Sequence, residues 1–537
     1  MPTSSEPGAA PVLQGPPLLG STLIDAARLE QLAARAAAPG TGRTALATVA
    51  PATGEPLGRL PLATPADVEA AVAAARSAQP GWAGRRPAER AAVLGRVHDL
   101  VLDRREEIMD LVQLETGKAR RHAFEEIGDV ALAARWHARH GPALLRPHRR
   151  RPAVPGITSA WELRRPVGVV GIVAPWNYPL TLSMGDIVPA LLAGNAVVLL
   201  PDPKASFTSL WAAELLDTAG LPPGVLQVLT GPGAELGPPL VARVDALAFT
   251  GSTRVGRQVA VQAAERLIGC TLELGGKNPM VVLADADVAK AVEGAAAGCF
   301  ASAGQLCLAI ERVYVEAAVY EAFAAGLAGR AAAMRLGASR GWDVEMGSLV
   351  SAGQLGLVQR HVRDAVERGA TVLAGGRARP DIGPFFHEPT VLADVTPDMA
   401  VACEETFGPI ATVHRVGSVD EAVEQANASS FGLNASVWTR DVRLGRRVAA
   451  RLRAGTVNVN DAYGPAWAAM GAPMGGFGDS GVGRRHGADG LLRFTEAQTI
   501  AVQRGIPLRP LPGQDAGRWA ALMSGALKLL DRVPGLR

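Results

Sequence analysis

The sequence predicts an α/β protein in which parallel strands are covered by helices on both faces. Short apolar runs alternate with longer helical patterns through the middle of the chain, and this alternation is typical of βαβ units. The chain of 537 residues is longer than one hydrophobic core usually organises, which predicts two or three domains. A hydrophobic content of 48% agrees with a globular protein.

The predicted elements form two series, one on either side of residue 307. In the first series, strands are predicted at the apolar runs 169–173, 196–200, 225–230, 246–250 and 280–283. Helices are predicted between these strands at 206–219 and 254–266. The second series has predicted strands at 312–315 and 370–373 and predicted helices at 321–334 and 355–368. Because ligands bind beyond the carboxyl ends of parallel strands, we expect functional residues at those ends.

Charge and cysteine content narrow the class of partner. Lys and Arg number 54 against 51 Asp and Glu, a balance of +3, and no basic run is interleaved with aromatic residues. This pattern argues against nucleic acid and favours a small-molecule partner. The four cysteines, Cys270, Cys299, Cys307 and Cys403, lack the spacing of a zinc site and the density of a disulfide framework. We therefore predict no metal site and a reducing, cytoplasmic location.

The two ends of the chain are predicted to lie outside the folded domains. Residues 1–21 are rich in Pro, Gly and Ala and lack the pattern of a signal peptide, which predicts a flexible leader. No run reaches the roughly 20 apolar residues that a membrane-spanning helix requires. Residues 506–537 form an amphipathic tail, in which Trp519, Leu522, Met523, Leu527, Leu530 and Val533 recur at helical spacing. The tail docks on a neighbouring subunit in the simpler interpretation and rests on a membrane surface in the alternative.

Three polar residues are candidates for chemistry. Cys307 and Glu273 supply a thiol and a carboxylate, which work as a nucleophile and a base. Asn177 follows the predicted strand at 169–173, and its side-chain amide is suited to hold an oxyanion. Each residue also has an ordinary structural interpretation, as a buried cysteine, a strand end before a turn and a turn asparagine.

Together with four further motifs, the segments around these residues resemble the aldehyde dehydrogenase superfamily in order and spacing. The further motifs lie at 115–118, 249–253, 404–409 and 475–481. The resemblance covers nearly the whole chain and implies the aldehyde dehydrogenase fold. In that fold, a Rossmann-like dinucleotide-binding domain takes residues 22–145 and 168–274, and an α/β catalytic domain takes 275–475. Residues 146–167 and 476–505 correspond to a bridging and oligomerisation element, which implies a homodimer or homotetramer.

The resemblance implies NAD(P)+-dependent oxidation of an aldehyde to a carboxylic acid. Cys307 adds to the carbonyl carbon to form a thiohemiacetal, and Asn177 stabilises the oxyanion. After hydride transfer leaves a thioester, Glu273 activates the water that hydrolyses it. A relative that transfers the acyl group to coenzyme A generally lacks that base. The alternative from another class is a catalytically silent structural or binding protein on the same scaffold, and the three intact residues argue against it.

The cofactor is predicted to bind where residues 251–256 open a helix after the strand at 246–250. Backbone N–H groups and the helix N-terminus there suit a pyrophosphate, with Gly251, Ser252 and Gly256 in the turn. The resemblance adds five cofactor-binding residues. These are Pro175, Trp176, Lys277, Glu405 and Phe407.

Two family positions for the adenosine ribose differ in this chain. The family normally has Lys where Leu200 stands, and members that prefer NAD have Glu where Pro203 stands. The missing carboxylate relieves repulsion of a 2′-phosphate, and Lys204 is a possible charge partner for it. The sequence therefore favours NADP over NAD.

The substrate is the least determined part of the prediction. Residues 275–280 and 458–461 resemble an actinobacterial group labelled succinate-semialdehyde dehydrogenase (NADP+), which gives succinate semialdehyde as the leading substrate. Where well-established members bind the substrate carboxylate, this chain has Gly185, Ala301 and Ala469. Arg312 is an alternative carboxylate partner. A less polar aliphatic or aromatic aldehyde is the alternative substrate.

Overall fold

The structure is a computed structural model that describes residues 21, 23–38, 44–152, 157–504 and 507–532. The predicted leader lies outside the described residues except for Ser21, and so does Val533 of the tail. The chain divides into a larger unit, which runs to Leu144 and resumes over Pro166–Thr495, and a smaller unit made of Leu145–Arg165 and Glu496–Arg537. The predicted dinucleotide-binding and catalytic domains lie within the larger unit, and their boundaries stay a prediction.

The described strands and helices are numbered in chain order. The strands are β1 (Ala45–Val49), β2 (Pro56–Pro61), β3 (His148–Arg150), β4 (Thr158–Pro166), β5 (Val169–Ala174), β6 (Ala196–Pro201), β7 (Leu226–Val228), β8 (Ala246–Thr250), β9 (Gly269–Glu273), β10 (Asn278–Val282), β11 (Ile310–Glu316), β12 (Thr371–Ala374), β13 (Thr390–Ala393), β14 (Ile410–Val416), β15 (Asn434–Trp438), β16 (Thr456–Val459), β17 (Gly481–Val482) and β18 (Thr495–Gln503). The helices are α1 (Ala26–Ala33), α2 (Pro65–Ala83), α3 (Pro87–Asp103), α4 (Arg105–Thr116), α5 (Arg120–Leu145), α6 (Pro179–Ala193), α7 (Ser206–Thr218), α8 (Gly233–Val241), α9 (Thr253–Glu265), α10 (Val288–Phe300), α11 (Tyr320–Ala332), α12 (Ala352–Glu367), α13 (Ala400–Cys403), α14 (Val419–Asn427), α15 (Val442–Ala449), α16 (Gly464–Ala468), α17 (Gly487–Leu492) and α18 (Ala516–Arg532).

Two sheets organise the larger unit. A six-stranded sheet has the order β17-β9-β8-β5-β6-β7, in which β5 to β9 pair in parallel and β17 joins antiparallel to β9. A seven-stranded sheet has the order β12-β13-β14-β11-β10-β15-β16 and is parallel except at its β12 edge. The prediction of an α/β fold with parallel sheets is confirmed.

The central strands form because their sequences are almost entirely apolar. Every residue of β6, β8 and β10 is buried, as expected when helices cover both faces of a parallel sheet. The predicted strands at 169–173, 196–200, 246–250 and 280–283 are therefore confirmed, whereas the strand predicted at 225–230 shortens to β7. The four predicted helices correspond to α7, α9, α11 and α12.

Three neighbouring strands end at the same edge of the six-stranded sheet. β5 ends at Ala174, β8 at Thr250 and β9 at Glu273. In the register of the sheet, Thr250 lies opposite Glu273, and Val173 lies opposite Phe249. The segments that follow these strand ends carry the polar residues singled out in the sequence.

The smaller unit contains a three-stranded sheet of order β18-β4-β3 and the helix α18. After Thr495, every residue of β18 is exposed. In α18, Leu522, Leu527 and Leu529 are also exposed. Of the helices in the described part of the chain, none combines the length and the apolar character needed to cross a bilayer.

Candidate active site

A cavity of about 350 Å³ lies beyond the ends of β5, β8 and β9. Its lining includes the three predicted catalytic residues and six of the predicted cofactor-binding residues. These are Asn177, Glu273, Cys307, Pro175, Trp176, Gly251, Ser252, Glu405 and Phe407. The structure thus brings together residues that span more than two hundred positions of the sequence. Gly256, Lys277 and Lys204 are not among the lining residues.

The loop that carries Cys307 has an unusual backbone. Ser302, Ala303 and Gly304 all have positive φ angles, of 51°, 55° and 71°. A side chain at Gly304 would place its Cβ 2.0 Å from the carbonyl oxygen of Gly408, so only glycine fits there. Non-glycine residues in this conformation store roughly 1–3 kcal/mol of strain each, and such strain collects at functional sites.

Gln305 holds this loop in place through three hydrogen bonds. Its side-chain amide donates to the carbonyl oxygens of Ser302 at 3.0 Å and Ser348 at 3.3 Å. Its amide oxygen accepts from the backbone N–H of Val350 at 2.9 Å. Because Gln305 is buried, these bonds are shielded from water and fix the backbone leading to Cys307.

The Cys307 thiol lies at the cavity wall, with its side chain partly exposed. Burial raises the pKa of the thiol to about 12, and the nearby carboxyl groups of Glu273 and Glu405 add to the shift. A thiolate is the reactive form of cysteine. Because the pKa of the thiol is raised, a proton acceptor is needed beside Cys307 before the sulfur attacks.

Glu273 is suited to accept that proton. Burial raises the pKa of its carboxyl to about 7, although the positive charges of Arg485 and Arg493 oppose the shift. Its Oε1 atom is buried and has no hydrogen-bond partner among the described residues. A carboxyl group with a pKa near neutrality and an unused oxygen is well matched to general-base chemistry.

Asn177 directs an amide group towards the catalytic loop. Its Nδ2 donates to the carbonyl oxygen of Gln305 at 3.0 Å. A primary amide carries two N–H donors, so this bond leaves a second donor for an oxygen in the cavity. Asn177 therefore lies where it could stabilise negative charge developing next to Cys307.

Glu405 and Phe407 form another part of the cavity wall. The Oε1 atom of Glu405 accepts from the backbone N–H of Gly276 at 2.8 Å, and burial raises the pKa of its carboxyl to about 7. A Cβ at Gly275 would lie 2.2 Å from Oε2 of Glu405, so the close approach requires glycine. The Phe407 ring packs edge-on against Trp176, with 5.6 Å between the ring centroids.

Lys277 lies outside the cavity lining and supports the loop that carries Glu405 and Phe407. The buried ammonium forms an ion pair with Glu311. The Glu311 carboxylate accepts from the backbone N–H groups of Thr406 at 3.1 Å and Phe407 at 3.0 Å. Lys277 is therefore placed to order the loop that carries Glu405, at a distance from the cavity lining.

The two remaining cofactor candidates lie elsewhere on the larger unit. A Cβ at Gly256 would come within 2.5 Å of the Leu274 side chain, so this glycine allows α9 to pack closely on the sheet. Lys204 is half-exposed and lines a second cavity of about 550 Å³ together with Pro203. Its ammonium lies 3.3 Å from Oδ1 of Asp202.

The structure does not bring Arg312 to Cys307. The Arg312 guanidinium donates to the carbonyl oxygens of Lys277 at 2.7 Å and Ala426 at 3.0 Å, and it lines a different cavity, of about 470 Å³. Gly185 has no side chain, and Ala301 is buried and neutral. None of these residues supplies a cation to the Cys307 cavity.

Sequence reasoning missed several residues of this site. Thr250, Gln354 and Leu357 also line the cavity. Arg485 donates to Thr250 Oγ1 at 2.6 Å and to Asp186 at 2.6 Å. Arg485 lies just after the glycine-rich motif at 475–481, but spacing alone does not distinguish it from the neighbouring arginines.

The chain is similar to known proteins over most of its length. A model of the aldehyde dehydrogenase family matches residues 38–500. The chain is 50% identical over 485 residues to a Mycobacterium tuberculosis protein named putative succinate-semialdehyde dehydrogenase (NADP(+)) 2, which covers 90% of this chain and 94% of that protein. It is 41% identical over 458 residues to a betaine aldehyde dehydrogenase of Cereibacter sphaeroides, covering 85% and 93%.

Solved structures give the same result at the level of the fold. An NAD+ complex of aldehyde dehydrogenase from Bacillus cereus is 37% identical, with a TM-score of 0.82 over 86% of this chain and 93% of that chain. An NADP dependent enzyme from E. coli is 34% identical, also with a TM-score of 0.82, over 86% and 95%. The predicted aldehyde dehydrogenase fold is confirmed, and the chain belongs to the aldehyde dehydrogenase family.

Proposed function

We propose that this chain oxidises an aldehyde to a carboxylic acid with NAD(P)+ as hydride acceptor. The observation that carries the proposal is the convergence of the Cys307 thiol, the Asn177 amide and the Glu273 carboxyl on one cavity. These groups have the nucleophile, oxyanion donor and base roles that acyl chemistry requires. A catalytically silent protein would have no need for the strained loop before Cys307 or for the raised pKa of Glu273.

The reaction begins with removal of the thiol proton. Glu273, with a pKa near 7, accepts the proton of Cys307 through direct contact or one water. The sulfur then forms a bond to the carbonyl carbon, and the carbonyl electron pair moves to the oxygen. The Asn177 Nδ2–H stabilises that oxyanion, and the backbone N–H of Cys307 has the same role by family resemblance.

The cavity also has groups that fit a dinucleotide cofactor. The first turn of α9 begins at Thr253 with its N–H groups towards the Gly251 turn, which suits a pyrophosphate. Glu405 presents a carboxylate that suits the hydroxyl groups of a ribose, in the space left by Gly275. When bound, NAD(P)+ supplies the hydride acceptor that converts the thiohemiacetal on Cys307 to a thioester. Glu273 first releases the thiol proton to solvent and then takes a proton from water, whose oxygen forms a bond to the thioester carbon. The carbon–sulfur bond breaks, the Cys307 sulfur takes that proton from Glu273, and the acid is released.

Replacing Gly275 with alanine tests the cofactor side of this proposal. The new Cβ would collide with the Glu405 carboxylate, so we expect the KM for the cofactor to rise about 10-fold to 100-fold through a lost charged hydrogen bond. Gly269→Ala is the matched control, because a Cβ there meets no atom within 4 Å. Equal cofactor KM values for the two variants would contradict the assignment of Glu405.

For the choice of cofactor, we propose NADP as the preferred partner and NAD as the alternative. The M. tuberculosis relative carries NADP(+) in its name, and Lys204 offers a cation beside Pro203, where the NAD-preferring residue is missing. Lys204→Ala is expected to raise the KM for NADP+ by about fivefold, which corresponds to the free energy that a half-exposed ion pair contributes. The KM for NAD+ is expected to stay unchanged. Lys290→Ala, which removes an exposed lysine on α10, serves as the control. An equal effect of Lys204→Ala on both cofactors would exclude a role for Lys204 in phosphate recognition.

For the substrate, we propose succinate semialdehyde, oxidised to succinate, as the first candidate. The name of the M. tuberculosis relative supports it. A less polar aliphatic or aromatic aldehyde is the second candidate, because Gly185, Ala301 and Ala469 leave the expected carboxylate-binding positions without a charge. Formation of reduced cofactor with succinate semialdehyde, hexanal and benzaldehyde, each with NAD+ and NADP+, decides between the two. No turnover with any aldehyde would overturn the proposed function.

We further propose a cytoplasmic homodimer or homotetramer. The exposed edge strand β18 supports pairing with a second copy, since an unpaired strand edge is a template for another strand. The described structure has four free cysteines, which agrees with a reducing compartment. Light scattering on the purified full chain measures the oligomeric state directly.

A further inference from the structure

A stripe of buried charged and polar side chains borders the active site from the side of α5. Lys118 lies just before α5, and His122 and Glu126 lie within it. His122 and Glu126 are four positions apart and therefore lie on one face of α5, and Lys118 lies four positions before His122. All three are buried, with exposed fractions of 2%, 6% and 0%. Their partners are residues of the two segments that carry Asn177 and Cys307.

Lys118 contacts the backbone of Asn177 directly. Its ammonium donates to the Asn177 carbonyl oxygen at 2.6 Å and to Oε1 of Glu126 at 2.6 Å. The same ammonium lies 3.7 Å from the ring centroid of Tyr178, the next residue. The contacts with the Asn177 carbonyl and the Tyr178 ring restrain the peptide that follows the Asn177 side chain, since a buried ammonium interacts strongly with both groups.

Glu126 extends the restraint into α6. Its second oxygen accepts from the backbone N–H groups of Leu180 at 2.8 Å and Thr181 at 3.1 Å, in the first turn of that helix. Tyr178, which stands at the N-cap position, makes no side-chain capping bond. Glu126 therefore supplies the missing cap from another helix and fixes the direction of α6 directly after Asn177.

His122 holds the other segment. Its Nδ1 accepts from the backbone N–H of Ser302 at 3.2 Å, at the start of the left-handed run before Cys307. Burial lowers the pKa of the imidazole to about 3, so the ring is neutral and Nδ1 acts as an acceptor. One face of α5 thus contacts both the segment of the oxyanion donor and the loop of the nucleophile.

A buried ion pair is poorly explained by stability alone. Replacing such a pair with apolar residues is often neutral or stabilising, because burial removes the hydration of both charges. The Lys118–Glu126 pair is fully enclosed, with exposed side-chain fractions of 1% and 0%. Its partners instead point to a geometric purpose, because each charge uses its remaining capacity on the backbone of residues 177–181.

We propose that Lys118 is a positioning residue that sets the Asn177 amide relative to Cys307, through the Asn177 carbonyl and the Glu126-capped start of α6. This inference rests on the proposed function, in which the Asn177 amide stabilises the oxyanion. A misplacement of about 1 Å in such a donor costs about 10²-fold in rate. Lys118 itself has no role in the chemical steps.

The main test removes both charges at once, so that no unpaired charge stays buried. In the Lys118→Met/Glu126→Gln variant, we expect kcat to fall about 10²-fold and the KM for the aldehyde to change by less than about threefold. The rate of Cys307 alkylation by iodoacetamide is expected to stay unchanged, because that reaction forms no oxyanion. A parallel loss of alkylation would mean that the catalytic loop itself has collapsed, and it would overturn the proposal.

A double-mutant cycle with Asn177→Ala separates positioning from general damage. If Lys118 acts through Asn177, adding Lys118→Met/Glu126→Gln to Asn177→Ala should lower kcat little further, because the amide is already absent. Additive losses in the combined variant would overturn the proposal. Full activity of Asn177→Ala on its own would instead refute the oxyanion role of Asn177, which is a failure of the proposed function.

Two further variants control for folding. Arg120→Met/Asp110→Asn removes another buried pair that involves α5, joined at 2.7 Å. The other side chains that bond to this pair, which include Arg340 and Gln113, lie outside residues 177–181 and 302–307, and the variant is expected to leave kcat unchanged. If Lys118→Met/Glu126→Gln does not fold, Lys118→Gln/Glu126→Gln replaces it, because an amide donor still reaches carbonyl oxygens. We expect the kcat of this conservative variant to lie about tenfold below that of the wild type, which is about half of the free-energy loss expected for the Met variant. A kcat equal to that of the wild type in Lys118→Met/Glu126→Gln or in Lys118→Gln/Glu126→Gln would overturn the proposal.

Discussion

Replacing Cys307 with alanine is expected to lower kcat for aldehyde oxidation by about 10⁴-fold or more, with the fold intact. Loss of a covalent nucleophile has effects of this order because no neighbouring group takes over bond formation to the carbonyl carbon. The Cys307 side chain is partly exposed at the cavity wall, and the loop is fixed by the hydrogen bonds of Gln305, so we expect the variant to fold. The measurement is formation of reduced cofactor at saturating aldehyde, together with the thermal unfolding temperature.

Cys403→Ser is the control for this result. Cys403 is exposed and does not line the catalytic cavity, and its replacement is expected to leave kcat within about twofold, as for surface substitutions. Mass spectrometry after incubation with aldehyde and oxidised cofactor is expected to find an acyl adduct on Cys307. Turnover by the Cys307→Ala variant at a tenth of the wild-type rate would exclude covalent catalysis.

Replacing Glu273 with glutamine is expected to separate the two halves of the reaction. Hydrolysis of the thioester loses its base, so steady-state kcat falls by about 10²-fold to 10⁴-fold. Formation of the thioester continues at high pH, where hydroxide removes the thiol proton. Rapid mixing should therefore show a burst of about one reduced cofactor per active site, the kinetic sign of a covalent intermediate.

The pH profile gives an independent check of the same residue. The carboxyl of Glu273 has a pKa raised to about 7, and only its deprotonated form accepts a proton. The kcat of the wild type is therefore expected to rise with pH through about 7 and then level off. The Glu273→Gln variant should lack this rise. Glu265→Gln, at an exposed position on α9, should keep the wild-type profile. A wild-type profile that is flat between pH 5 and 9, the range that brackets this pKa, would argue against Glu273 as the base.

In the seven-stranded sheet, β14 and β15 were not predicted from the sequence. In the six-stranded sheet, the sequence predicted the central strands well because burial on both faces leaves a continuous apolar run. β9 escaped prediction for the opposite reason. Its first residues, Gly269 and Cys270, are small and partly exposed, so the run is interrupted. β17 has only two residues and is defined by its pairing with β9. Such a strand exists only through its partner, and no local pattern indicates it.

The convergence of the candidate residues on one cavity was predictable where a motif places each residue at a strand end or a turn. Cys307, Asn177 and Glu273 all lie in such segments, and the fold brings them together. Pairing between distant segments could not be predicted. Lys277 resembles a cofactor-binding residue by position, but the structure pairs it with Glu311, and nothing in the spacing indicates that partner.

The left-handed run at residues 302–304 also limits how the specificity of this enzyme could be redesigned. A larger side chain at Gly304 would strike the Gly408 carbonyl, and β-branched residues at Ser302 or Ala303 are unsuited to a positive φ. Libraries that aim to reshape the cavity are therefore better directed at Leu182, Gln354 and Leu357, whose side chains already line it. Substitutions at those three positions can change the substrate range, whereas the backbone of residues 302–304 allows few substitutions next to the nucleophile.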